Sequence, residues 1–286
     1  MRHANPEKAL EIADRTMEDF GKKVHTERWQ SLDISERPEA EMVEIMHHSL
    51  IFPMKTLDLK YYQDQVEPNL PWADDHFQER VCGYPINPGT EWANWPWSTH
   101  ADKHREEEMF NHNYMERYWP KLVNKVGFPT ADRQEFVEAL VGEEPGFDSD
   151  TLMPIRGLRH EYGDLGDVVN LLAFEPQTRQ AYMPIWFPED TGTTHSGRKP
   201  CTLGYHFIMR NNKLDIRYDI RSCDLFRHFR DDVYLTIRLV HWVLMECRKL
   251  NPEVWENIQL GDFVMHITSL HMFAGDYYVK FGKPAK

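Results

Sequence analysis

Cysteine is scarce and unpatterned. Cys82, Cys201, Cys223 and Cys247 are the only four in 286 residues, and no two stand at paired spacing. A disulfide framework is therefore excluded and a reducing compartment expected. No apolar run approaches bilayer length, and the opening MRHANPEKALEIADRTMEDF is too polar for a signal peptide's core, so a cytoplasmic protein without a membrane role is expected. Positive charge is in deficit. Lys and Arg number 33 against 46 Asp and Glu, a formal net charge of −13, which argues against a nucleic-acid or anionic-membrane surface. Also missing are a glycine-rich phosphate loop, a Ser-His-Asp signal, a zinc-deaminase H-x-E with P-C-x-x-C, internal repeats and low-complexity segments. The fifteen histidines never join carboxylates or thiols at ligand spacing, so no metal is expected.

What is present is a core and a long aromatic segment. Hydrophobic residues make up 41% and aromatics 13%, ample for one packed α+β domain. Apolar residues at helical spacing predict helices over 6–23, 39–50, 74–81, 165–174 and 233–250, with an aromatic helix in the tail. The first two belong to a helical extension, 1–60, packed on a domain of 61–286. The charge run 102–108 suits a solvated helix face, 122–127 the end of a helix or a linker, and 142–150 an acidic turn-rich loop. Residues 181–187 predict a short strand, placed at an edge by Pro184, and 261–267 a last strand. Between 61 and 97, Trp72, Trp92, Trp95 and Trp97 crowd among five prolines. They serve as packing under loops or as walls for a flat ring.

The stretch from Pro200 to Asp232 concentrates the chemistry. Residues 202–209 are mostly apolar, Asn211-Asn212 tolerates the positive φ of a tight turn, and 214–220 alternate strictly. This hairpin brings Cys201 and Arg221 together at its open end. A cation favours the thiolate, which makes Cys201 a candidate nucleophile, with Cys223 its rival. Asp231 and Asp232 stand where a helix N-cap and first-turn acid belong, yet one acid fills that role and leaves the other over.

The order Pro200-Cys201, Arg221-Ser222-Cys223-Asp224, Asp232, Gly261-Asp262-Phe263 and His271 resembles the thymidylate synthase superfamily. Phe229-Arg230-Asp231-Asp232 and Ser269-Leu270-His271 are similar to segments of phage-type deoxycytidylate hydroxymethylases within it. The resemblance implies a large mixed sheet flanked by helices, used for homodimer packing. It implies a pyrimidine nucleoside monophosphate as substrate, with 5,10-methylenetetrahydrofolate as co-substrate and no metal. By the same resemblance Cys201 attacks carbon 6, Glu79 orders water and moves protons, and Arg221, Ser222 and a neighbouring subunit's Arg179 hold the phosphate. His271 binds the sugar, Tyr114 contacts the nucleotide, and Asp224 and Trp97 face the folate. Departures are Gln180 where synthases have a second arginine, Phe273 for a tyrosine, and His228 for a glycine.

Asp232 stands where synthases carry the asparagine that reads uracil. A carboxylate accepts from the 4-amino group of cytosine and, when protonated, pairs with ring nitrogen 3, whereas against uracil two acceptors meet. A hydroxymethylase acting on dCMP or CMP is therefore expected, the product arising when water adds to an exocyclic methylene. The tail from Lys280 lacks the apolar end with which synthases exclude that water. A dUMP hydroxymethylase, a thymidylate synthase and a non-catalytic nucleotide-binding relative are the alternatives.

Overall fold

The computed structural model describes residues 2–29, 32–101, 105–106, 109–110, 113–123, 163–191 and 198–285. Alternating apolar residues build six strands into one sheet: β1 (Lys22–Val24), β2 (Met42–Pro53), β3 (Tyr182–Pro184), β4 (Thr202–Arg210), β5 (Lys213–Asp224) and β6 (Gln259–Phe273). Their spatial order is β1-β2-β6-β5-β4-β3, with β5 and β6 parallel and all other neighbours antiparallel. The helices α1 (Pro6–Phe20), α2 (Leu59–Val66), α3 (Trp72–Arg80), α4 (Tyr114–Tyr118), α5 (Leu165–Phe174), α6 (Phe229–Leu250) and α7 (Ala274–Phe281) complete a mixed α+β fold.

The hairpin expected after Cys201 is present. Asn211 (φ 50°) and Asn212 (φ 57°) form its two-residue turn, a geometry that asparagine tolerates and that matches strand twist. Leu214, Ile216, Tyr218 and Ile220 are buried, and the polar residues between them are not. Parallel neighbours cannot be joined by a tight turn, so β5 reaches β6 through α6. This helix has acids in its first turn and Arg248 and Lys249 in its last, matched to its dipole. Val233, Ile237, Val240 and Leu244 pack into the same core cluster as Phe52, Tyr218, Phe263 and Met265. Phe52 and Phe263, partners in register, stack at 4.5 Å.

Two expectations need correction. Residues 39–50, expected as a helix in a cap on the core, instead supply β2, which lies inside the sheet between β1 and β6. The last strand, expected over 261–267, runs on to Phe273. One distortion accounts for both. His47 takes φ 58° opposite Thr268, and the buried face changes parity there. Along β2 the side chains with no exposure are Val43 before it and Leu50 and Phe52 after it. Along β6 the least exposed side chains are Phe263, Met265 and Ile267 before, and Leu270 and Met272 after. A period of two that skips a beat imitates helical spacing.

Arg105–Glu106, expected in a charged helix face over 102–108, is instead a short strand paired antiparallel with Met109–Phe110. The helix end expected near 122 is Pro120–Val123. The acidic loop 142–150 lies outside the described residues. The edge strand expected at 181–187 is β3, whose Pro184 sits where no second neighbour needs its missing N–H.

The segment entering the hairpin is fastened by a buried ion pair. Arg117 of α4 donates to Asp190 through both terminal nitrogens, one contact at 2.9 Å, and to the Ile185 carbonyl at 3.1 Å. Asp190 also accepts the Phe187 N–H at 2.8 Å. Both side chains are almost fully buried. Removing one partner strands the other charge, so Asp190→Ala is expected to lower the unfolding free energy by about 3–5 kcal/mol, measured by urea denaturation.

Candidate active site

The strand ends, the start of α6 and one face of α3 enclose a cavity of about 380 Å³. β5 supplies Arg221, Ser222, Cys223 and Asp224 to its lining, and β6 supplies Ser269 and His271. These segments are side by side because the strands are parallel, with Ser222 in register with Ser269 and Asp224 with His271. The Ser222 hydroxyl lies 3.4 Å from His271 Nδ1. Cys201 joins them from the start of β4, its carbonyl accepting the Arg221 N–H at 2.9 Å. The Arg221 guanidinium donates to the carbonyls of Pro200 (2.9 Å) and Lys199 (3.2 Å), fastening the segment that carries the thiol.

Neither of the two first-turn acids of α6 caps it as the sequence suggested: the N-cap is His228, without a side-chain capping bond, and the acids divide in another way. Asp231 accepts the Asn69 N–H and side-chain amide, each at 2.8 Å. Asp232 instead accepts from the Cys223 thiol at 3.5 Å. Burial raises the Asp232 carboxyl to about 7, Arg80 opposes the rise, and Asp231 and Asp224 add to it. The same burial, with Asp232 beside it, holds the Cys223 thiol well above its ordinary range, so this cysteine is an inert donor. Asp224, also raised by burial, accepts the N–H groups of Phe226 (2.9 Å) and Arg227 (3.0 Å) on Oδ1, which leaves Oδ2 over. Burial lowers His271 against the pull of Asp224.

Behind Asp232 runs a chain of side chains with little mark in the sequence. Arg80 is buried, its guanidinium 4.4 Å from the Tyr114 ring centre, and its Nε donates to His76 Nε2 at 3.0 Å. An Nε2 that accepts fixes the proton on Nδ1, which donates to Glu79 at 3.2 Å. Burial, then Arg80, lowers His76 to about 4, so the ring is neutral. Burial would raise Glu79, but hydrogen bonds from His76, the Glu91 N–H (3.0 Å) and the Thr90 hydroxyl (3.1 Å) outweigh it and hold the carboxylate ionised. Glu79 is thus one side chain behind the wall, with His76 between it and the cavity. Tyr114, pushed up to about 12 by burial, closes this side through a chain of hydroxyls, 3.1 Å to Thr202 and 3.0 Å on to Tyr218.

Trp72, Trp92 and Trp95 line the cavity and Trp97 does not. Trp97 lies against Phe226 and under the Arg227 guanidinium, 6.2 and 5.1 Å away. Arg179 is exposed and outside the lining, its carbonyl 3.0 Å from His206 Nε2. Of the residues singled out from the sequence, the lining therefore gathers Cys201, Arg221, Ser222, Asp224, Asp232, His271 and Tyr114, but not Glu79, Arg179 or Trp97. Sequence reasoning passed over Arg80 and His76, whose one signal is their spacing of four on α3. Among the described residues no cluster suits a metal ion.

No family model matches the chain. Among solved structures it resembles the thermostable thymidylate synthase A from Bacillus subtilis, with a TM-score of 0.59 and 12% identity over 96% of this chain and 80% of that one. The likeness is one of fold, and it agrees with the mixed sheet flanked by helices expected from the sequence.

The Asp232 carboxyl has a consequence for stability. Its folded value of about 7 stands above its ordinary 3.8. Between these limits the folded chain holds a proton that the unfolded chain releases, so stability is lost as pH rises through that window. Asp232→Asn removes the dependence. Relative to the wild type, the variant is expected to gain on the order of 2–3 kcal/mol between pH 5 and pH 8, read from denaturation at the two values.

Proposed function

We propose that this chain is a folate-dependent hydroxymethyltransferase acting on a pyrimidine nucleoside monophosphate with a cytosine base, dCMP or CMP. The observation that carries this reading is the meeting of a thiol, Cys201, and a carboxyl balanced near neutrality, Asp232, in one cavity. A carboxyl near pH 7 is present in both states. Ionised, it accepts from the 4-amino group, and protonated, it donates to ring nitrogen 3. Uracil, with a carbonyl at position 4 and N–H at position 3, needs the opposite pattern. Against uracil the ionised form sets an acceptor beside the 4-carbonyl, and that mismatch favours cytosine.

The remaining residues have roles that follow from their places. Cys201 adds to carbon 6, which makes carbon 5 nucleophilic. Arg221 and Ser222 meet the phosphate, joined by Arg179 from a second copy of the chain. His271 meets a sugar hydroxyl. Phe273 lies 4.6 Å under the Arg227 guanidinium and has no hydroxyl to add. Glu79 acts through the neutral His76, whose proton it holds on Nδ1 and whose Nε2 it thereby turns to Arg80. A folate fits the donor set, because Trp92 and Trp95 offer flat walls and Asp224 keeps one oxygen for a ring N–H. When bound, methylenetetrahydrofolate supplies the one-carbon unit. Asp224 and the aromatic wall, with Trp97 beside them, would orient it.

Exchange of tritium from carbon 5 tests the reading directly. With methylenetetrahydrofolate present, the chain is expected to release tritium from dCMP or CMP and not from dUMP. Cys201→Ser abolishes release, and Asp232→Asn turns the preference towards dUMP. Release from dUMP alone would overturn the assignment of Asp232, and nucleotide binding without release would make the chain a non-catalytic relative.

A further inference from the structure

His228 has no place in the steps above, and its surroundings give it one. It occupies the N-cap of α6 without making a capping hydrogen bond, and it lines the cavity. Its ring stacks on Trp95 at 4.7 Å, and Trp95 leans in turn on Trp72, which stacks on His76. The stack fixes the plane of the imidazole, while neither ring nitrogen bonds any described residue. Asp232 N–H donates to the His228 carbonyl at 2.8 Å, so the two residues are one turn apart on α6. In cytosine the carbon bearing the amino group adjoins carbon 5. A base held by Asp232 at its amino group and by Cys201 at carbon 6 therefore presents its carbon 5 substituent between them, in the cavity that His228 also lines.

We propose that His228 is a positioning residue that holds the water of the last step, the hydration that forms the hydroxymethyl group. This inference rests on the reaction proposed above. The water oxygen bonds to the exocyclic methylene carbon, whose double-bond pair moves into the ring as C5=C6. The C6–S bond breaks and its pair returns to Cys201. The proton shed by the water ends on that sulfur, so adduct and water give the 5-hydroxymethyl nucleotide and free thiol, with no oxidant or reductant. Burial first, then Arg198, His271 and Arg227, lowers His228 to about 3. The imidazole is thus neutral, with a free lone pair to accept one water hydrogen and aim the oxygen. It orients the water and does not store its proton.

The test measures hydroxymethyl product formed per tritium released from carbon 5 of dCMP and of CMP, with β-mercaptoethanol present to trap unhydrated methylene. The wild type is expected to give about one product per release. His228→Phe keeps a flat ring on Trp95 but removes the nitrogens. Its ratio is expected to fall at least about tenfold, with a thioether in place of the hydroxymethyl product. His228→Asn restores a hydrogen-bonding group and most of the ratio, and His228→Ala repeats the Phe result without the bulk. An unchanged ratio in the Phe and Ala variants overturns the inference and leaves the reaction standing. A wild type that releases no tritium overturns both.

Discussion

The site depends on one pairing, the parallel alignment of β5 with β6. Parallel strands end on the same side of the sheet, so Ser222 to Asp224 and Ser269 to His271 finish beside one another. The connection between such strands must leave that end, cross a face and return. Here the crossover is α6, and its first turn therefore stands over the same strand ends. The hairpin partner β4, antiparallel to β5, begins where β5 finishes, which brings Cys201 to the group. Three separate parts of the sequence meet through backbone geometry alone. In open α/β sheets the crevice beyond the carboxyl ends of strands is where ligands bind, and the same logic applies to this pair.

What the geometry assembles is a pocket in which four carboxyls, Glu44, Asp224, Asp231 and Asp232, share the wall with three arginines, Arg80, Arg198 and Arg221. Asp224, Asp231 and Asp232 sit within one stretch of chain, and only Asp231 is covered by a full set of protein donors. Arg80 is the counterweight, a buried cation held by an imidazole and a phenol ring and not by a carboxylate. A guanidinium tolerates this because it is planar and weakly hydrated, so that stacking replaces part of its lost solvation. Its charge offsets Asp232 without a direct bridge, and the acid stays near the middle of its titration. A closer pair would have locked the carboxylate ionised and left only one hydrogen-bonding pattern to offer.

Much of the fold could be read from the chain where a pattern stayed regular. The hairpin of β4 and β5, helix α5 and the long α6 kept one period from end to end, and their expected bounds were close. Reading failed at β2 and at the end of β6, where the change of face at His47 breaks the alternation. No local signal announces that change, which the two strands share at facing positions. The site was legible to the same extent. Cys201, Arg221 and Asp232 sit on regular elements with countable spacing, and the structure puts them round one cavity. Arg80 and His76 escaped because their importance lies in which groups surround them. A buried arginine looks like any surface arginine until its tyrosines are in place.

The division of labour between Asp231 and Asp232 is a matter of angular phase. Successive residues of a helix are rotated by about 100°, so adjacent acids look in different directions, one towards Asn69 and the other into the pocket. The linker from Asp224 to Phe229 is four residues long and sets that rotation. A one-residue insertion there would swing the second acid away and bring the first round, leaving the composition of the wall almost intact but offset from the thiol. Loop length between β5 and α6 is thus a dial on what the pocket recognises, and this connection is one where evolution has little room to drift.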